Sequence, residues 1–364
     1  MRLPRTTLAL ALAAAVALAV PALAAAPAHH FGHEKARTSA LCQGNPSTYQ
    51  LLSYRSGGQT AKALFVVPAK KPVGIVVFDH GYSHTMYSWV RHMERVSKQL
   101  NVITITPDYR GQVDDLKTQP LPSSRGWRVS EGAVDTNTAA QLFDKACLKG
   151  KGHDVLYSVS MGGNTAGLAL AAKPKRSNGS PLWDEWVDVE GAANVLETYQ
   201  GARALASVNT FANHAQADIE QEMGGAPESQ LPTYLERSIV TRTADIKASG
   251  VKGVIMAHGY VDGLVTHDIS RQLELGLKAQ GIPVDMRAFL THTKGSEPGT
   301  TLDGYAPTGV ASPFAGHASE ASETHDVGMA GFAALAELYH GYRVISRESF
   351  NDGLTALHLT SPTA

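Results

Sequence analysis

The sequence predicts an α/β fold, a mostly parallel twisted sheet with helices on both faces and a helical cap insertion. Three observations carry this. Residues 73–78, 102–106 and 155–159 are short apolar or β-branched runs, as expected of strands buried on both sides. Each is followed by a helix-like segment, over 87–100, about 132–147 and from 161 to about 172. The alternation continues to the end of the chain without internal repeats, which implies parallel strands joined by helical crossovers.

The elements follow in order. Residues 49–55 and 61–68 flank Gly57-Gly58 and read as an antiparallel hairpin at the start of the sheet. The strand over 73–78 ends in Asp79-His80-Gly81-Tyr82-Ser83-His84. In the helix over 87–100, Trp89, Val90, Met93, Val96 and Leu100 recur near helical spacing. The strand over 102–106 runs into Asp108-Tyr109-Arg110-Gly111. Residues 186–190 form a further strand ending in Glu190. The stretch at about 192–247 has weak periodicity and internal Gly and Pro, and reads as a cap lying over the sheet. Strands over 251–258 and 284–290 bracket a helix at about 267–280. A Gly/Thr/Pro/Ser-rich loop over 293–319 has the length of a functional loop, and a last helix spans about 322–341.

Length and composition bound the rest. A chain of 364 residues, 18% charged and 43% hydrophobic, suits one large globular domain, here residues 48–345. Arg2 and Arg5 precede an apolar run over 8–20 and the small-residue segment Pro21-Ala22-Leu23-Ala24, the pattern of a cleaved secretory leader over 1–24. Its removal takes the formal charge from −1 to −3. No later segment is long enough to hold the product in a membrane, so a secreted or periplasmic protein is expected. Near-neutral charge with no basic cluster argues against nucleic acid as a partner. Residues 25–47 and 346–364 read as tails. The histidines His29, His30 and His33 lie in the first of these and are expected to be flexible, with no metal bound. Two cysteines occur, Cys42 and Cys147; in an exported protein they are expected to pair as one disulfide, the alternative being two separate buried thiols.

Residues 155–163, Val-Leu-Tyr-Ser-Val-Ser-Met-Gly-Gly, order a strand, a sharp turn and a helix. This is the setting of a nucleophile elbow, where the turn lifts one serine Oγ clear of the sheet edge. Crowding at such a turn demands small residues two before and two after the serine. Ser160 meets this with Ser158 and Gly162, whereas Ser158 would need Leu156 to be small. Ser158 stands where glycine is usual.

With these motifs in order, the chain resembles the α/β-hydrolase superfamily over roughly residues 48–342, as a secreted serine esterase or lipase-like member. The matching features are the strand ending in His80-Gly81-Tyr82, the elbow at Ser160, the strand ending in His258-Gly259-Tyr260-Val261-Asp262, and the histidines near the last strand and helix. Asp108-Tyr109-Arg110-Gly111 resembles the strand end of the dienelactone-hydrolase and prolyl-oligopeptidase-like branches, where it is structural. The resemblance implies Ser160 as nucleophile, Asp262 as the acid with Glu190 in reserve, and the backbone N–H groups of Tyr82 and Met161 as the oxyanion hole. It leaves three histidines for the base. His325 opens the final helix and is preferred, with His317 next and His292 third. Chemistry of this kind needs no cofactor, and no nucleotide-binding motif is present. The expected substrate is a small or lipid-like ester; the alternatives are a prolyl-oligopeptidase-like peptidase and a catalytically silent binding protein on the same fold. Trp127, Trp183 and Trp186 are expected in the core.

Overall fold

The computed structural model describes residues 41–43, 48–111, 126–260, 262–289, 317, 326–340, 343–347 and 357–360. The expected leader over 1–24, most of the tail at 25–47, His292, His325 and nearly all of the 293–319 loop lie outside the described residues.

Eight strands form one sheet: β1 (Gln50–Ser56), β2 (Gln59–Val66), β3 (Gly74–Asp79), β4 (Ile103–Asp108), β5 (His153–Val159), β6 (Glu185–Val189), β7 (Gly253–Gly259) and β8 (Val284–Phe289). Their spatial order is β1-β2-β4-β3-β5-β6-β7-β8. β1–β2 and β2–β4 pair antiparallel, and every pair from β4 through β3 to β8 is parallel. Strands β3 and β4 are buried at every position; β3 reads as an apolar run, and β4 carries Thr104 and Thr106, whose hydroxyls donate to the Met93 and Phe78 carbonyls.

Helices α1 (Val90–Leu100), α2 (Val129–Phe143), α3 (Met161–Ala171), α8 (His267–Ala279) and α9 (Asp326–His340) connect or cover the strands. Two cores result. One lies against α2, α3 and α8 and includes Leu156, Phe143, Trp183, Trp186 and Leu273; the other, against α1 and α9, holds Phe78, Trp89, Tyr157 and Phe332. Trp127, Trp183 and Trp186 are all buried, as expected. The helix expected from 87 opens instead with a 3₁₀ turn, Met86–Trp89. Thr85 and Ser88 form a reciprocal capping box there, and a tight turn satisfies its first amides. The segment expected as helix to 147 ends as a π turn, Asp144–Leu148.

The 192–247 insertion between β6 and β7 is helical: α4 (Val195–Leu205), α5 (Thr210–Met223), α6 (Pro227–Arg237) and α7 (Thr243–Ser249). Asn194 and Asn209 cap the first two by accepting from the amides of Glu197 and Ala212. The segment read as a C-terminal tail over 346–364 contains β10 (Leu357–Thr360), which pairs antiparallel with β9 (Arg343–Arg347) at the boundary of the expected domain. Cys42 and Cys147 form the expected disulfide, with Cα atoms 5.5 Å apart. Among the described residues, no helix is long and apolar enough to cross a membrane.

Candidate active site

Parallel strands put the C-terminal ends of β5, β6 and β7 side by side, and the chain places Ser160, Glu190 and Asp262 just beyond those three ends. Ser160 joins β5 to α3 with φ 56° and ψ −125°. A positive φ at a non-glycine residue costs about 1–3 kcal/mol and persists only where the surroundings impose it. Here its N–H donates to the Val189 carbonyl at 3.0 Å, and its carbonyl accepts from Gly163 and Ala192, both at 2.9 Å. The serine is therefore fastened to both sides of Glu190 in sequence.

Close approach dictates the residues around it. A Cβ at Gly162 would lie 2.1 Å from the Asp79 carbonyl oxygen, so this position admits only glycine. Ser158, the substitute for the usual glycine, is fully buried. Its Oγ donates to Asp188 Oδ1 at 2.8 Å and accepts from Trp186 Nε1 at 2.8 Å. The Ser158 hydroxyl is thus tied down on both sides, inside the core rather than at the sheet edge. Burial pushes Asp188 up to about 7, against the bond from Ser158 and the charge of His258.

Asp262 is a buried carboxylate with every lone-pair direction engaged. Oδ1 accepts from the amides of Leu264 at 2.8 Å and Val265 at 2.9 Å. Oδ2 lies 2.7 Å from His317 Nδ1 and 3.2 Å from His258 Nε2. Burial alone would raise the carboxyl, but the charge of His317 and the bonds from His258 and His317 outweigh it and hold Asp262 well below the usual carboxylate range. An ionised Asp262 can only accept, so His317 Nδ1 carries a proton toward it. Of the three histidines considered, the one beside Asp262 is His317, the second choice; His325, the first, lies outside the described residues, as does His292.

Glu190 is fully buried and approaches His317 Nδ1 to 3.4 Å through Oε2. His258 was legible as part of the strand-end motif but carried no role. Its Nε2 is 2.9 Å from the Val265 carbonyl and its Nδ1 2.7 Å from Ser270 Oγ. Burial lowers its basicity, yet Asp262 and Glu190 reverse this and raise it.

The two expected oxyanion donors sit at the same edge. Tyr82 follows β3. Its ring packs between Trp127 and Phe211, and its Oη donates to Asp218 Oδ2 of α5 at 2.6 Å. No sequence signal connects residues so far apart. Met161 opens α3, where the first amides have no carbonyl partner inside the helix and the helix dipole favours negative charge. His80 stacks on Tyr109 at 4.1 Å, and Tyr109 Oη donates to the His80 carbonyl at 3.2 Å. Arg110 donates to Asp135 from both its backbone N–H and its Nε. This strand end braces the loop before Tyr82.

No protein-family model and no curated protein matches the chain. Solved structures do. A puromycin hydrolase aligns with a TM-score of 0.53 at 15% identity, over 82% of this chain and 40% of that one. A Mycobacterium tuberculosis puromycin-hydrolyzing peptidase gives 0.51 at 16% identity, over 80% and 40%. A Pyrobaculum calidifontis esterase gives 0.49 at 16%, over 69% and 78%. With the strand order above, the first two likenesses identify the architecture: the chain has the α/β-hydrolase fold. It spans about two fifths of the length of the two puromycin-cleaving proteins.

Proposed function

We propose that this protein is an exported serine hydrolase that cleaves carboxylic esters through an acyl-enzyme. The observation that carries the reading is His317 Nδ1 at 2.7 Å from a buried Asp262, on the sheet edge that also bears the strained Ser160. Ser160 Oγ attacks the carbonyl carbon while His317 Nε2 takes its proton. Asp262 holds the imidazole and stabilises its cation. The amides of Tyr82 and Met161 stabilise the oxyanion. The imidazolium then protonates the leaving oxygen, water repeats the sequence on the acyl-enzyme, and no cofactor enters. His317 takes the base role ahead of His325 because of its bond to Asp262. Helices α4 to α7 act as the cap over the substrate, tied to the oxyanion loop through Asp218 and Tyr82. Export is supported by the leader-like residues 1–24 and by the disulfide.

The puromycin-cleaving proteins of the same fold support a second reading, hydrolysis of an aminoacyl amide or peptide bond. The same residues would serve, with the imidazolium protonating a leaving nitrogen. Side-by-side p-nitrophenyl ester and aminoacyl-anilide panels separate the two. A fluorophosphonate is expected to label wild type at Ser160 and to leave Ser160→Ala unlabelled and inactive. Labelling of Ser160→Ala at the wild-type rate, or full turnover by it, sinks both readings; failure to label the wild type favours a silent binding protein.

A further inference from the structure

We propose that Glu190 is a second positioning carboxylate on His317, sharing its Nδ1–H with Asp262. The inference rests on the reading of Ser160 and His317 given above.

Three observations on Glu190 converge. Its backbone holds φ 52°, a conformation a side-chain-bearing residue rarely adopts, and its N–H donates to the Ala257 carbonyl of β7 at 2.9 Å. Its side chain is fully buried at the end of β7, where Oε1 accepts from the Gly259 amide at 3.3 Å. Oε2 then lies 3.4 Å from His317 Nδ1, and single ligand atoms of Glu190, Asp262 and His317 all fall within 4.8 Å of one another. Two acids from the ends of neighbouring strands thus address one ring nitrogen.

Two carboxylates this close repel, and burial worsens the cost unless a cation is at hand. His258 is placed to be that cation. It is completely buried and its Nε2 faces both Asp262 Oδ2 and a carbonyl that can only accept, so Nε2 carries a proton. Ser270 Oγ at its Nδ1 is able to accept a second one. Among the described residues, the charged or titratable groups around the pair include Asp188 on β6, His258 on β7, His317, and His267 of α8, whose ring centroid lies 5.6 Å from that of His258. A cation at His258 favours negative charge on both acids, and each negative charge favours the imidazolium that forms as Ser160 loses its proton.

The test is the pH dependence of Ser160 phosphonylation by a fluorophosphonate, which needs no knowledge of the substrate. Glu190→Gln removes one negative charge beside His317, so the acid limb of the rate profile is expected to move to lower pH and the plateau rate to fall about three- to thirty-fold. Asp262→Asn is expected to lose less than the roughly 10⁴-fold seen where a lone orienting carboxylate is removed. The rate of the double variant, relative to wild type, is expected to fall well below the product of the two single variants' relative rates. An unshifted acid limb in Glu190→Gln, or a double variant no slower than Asp262→Asn, overturns the proposal while labelling at Ser160 keeps the hydrolase reading intact. If Glu190→Gln does not fold, Asp262→Asn decides alone: phosphonylation no faster than the background of Ser160→Ala overturns it.

Discussion

Gly162 and Asp79 meet backbone to backbone, so closely that a methyl group on the glycine would stand 2.1 Å from the aspartate carbonyl oxygen. The contact joins the first turn of α3 to the end of β3, and so fixes the spacing between the Met161 amide and the loop that bears Tyr82. Gly162→Ala is expected to push these apart. Overpacking of this kind costs about 1–3 kcal/mol. A fall in Tm should therefore accompany a loss of activity larger than the stability loss explains, measured by calorimetry and by turnover on the best ester.

Ser158 makes a prediction of the opposite balance. Restoring the usual glycine with Ser158→Gly leaves Trp186 Nε1 and the buried Asp188 without their shared partner. Leaving buried polar groups unpaired costs on the order of 1–3 kcal/mol. The urea midpoint should drop accordingly, while fluorophosphonate labelling of the folded fraction at Ser160 persists. Loss of labelling at normal stability would make Ser158 the better nucleophile.

Asp79 sets a pH dependence. It is fully buried, and burial pushes it up to about 8 in spite of the bond from Thr136 Oγ1 to Oδ1 at 2.6 Å. A folded-state value above the unfolded one means that the native state binds the extra proton between about pH 4 and about pH 8. Its contribution to stability is present below that window and is lost as the pH rises through it. Asp79→Asn keeps an acceptor for Thr136 and has no proton to lose. The difference in unfolding free energy between variant and wild type should move in favour of the variant from pH 4 to pH 9, by on the order of a few kcal/mol at most. A difference that stays flat across this range would show that Asp79 is ionised in the folded protein.

The disulfide closes a loop of 105 residues between Cys42 and Cys147. Loop-closure entropy for that length sets an upper expectation of about 4–5 kcal/mol. Reduction with dithiothreitol, or Cys42→Ser, should lower Tm by several degrees. Ser160 should still label below the new transition, since its turn is held by Val189 and Ala192 rather than by the N-terminal segment.

Much of this was legible in the chain because it is written locally. Buried parallel strands read as apolar runs, and the crowded turn at Ser160 needs small neighbours whose identities show directly in residues 158–163. The fold class, the elbow and Asp262 at a strand end therefore follow from short stretches. The pairing of the two cysteines followed from their number and the expected compartment.

What the sequence could not decide depends on residues far apart in the chain. Asp262 and His317 are separated by 55 positions that include a helix, a strand and the loop read over 293–319, and only the fold brings Nδ1 to Oδ2. Tyr82 and Asp218 are 136 apart, and no pattern joins a strand end to a helix of an insertion. Glu190 and Asp262 read from sequence as rival candidates for a single role. Parallel pairing of β6 with β7 sets their strand ends next to each other, and burial with His258 lets both acids share one imidazole. Local chemistry singled out Ser160 and Asp262 as candidates; which acids lie beside His317 was decided by strand adjacency, which no local pattern encodes.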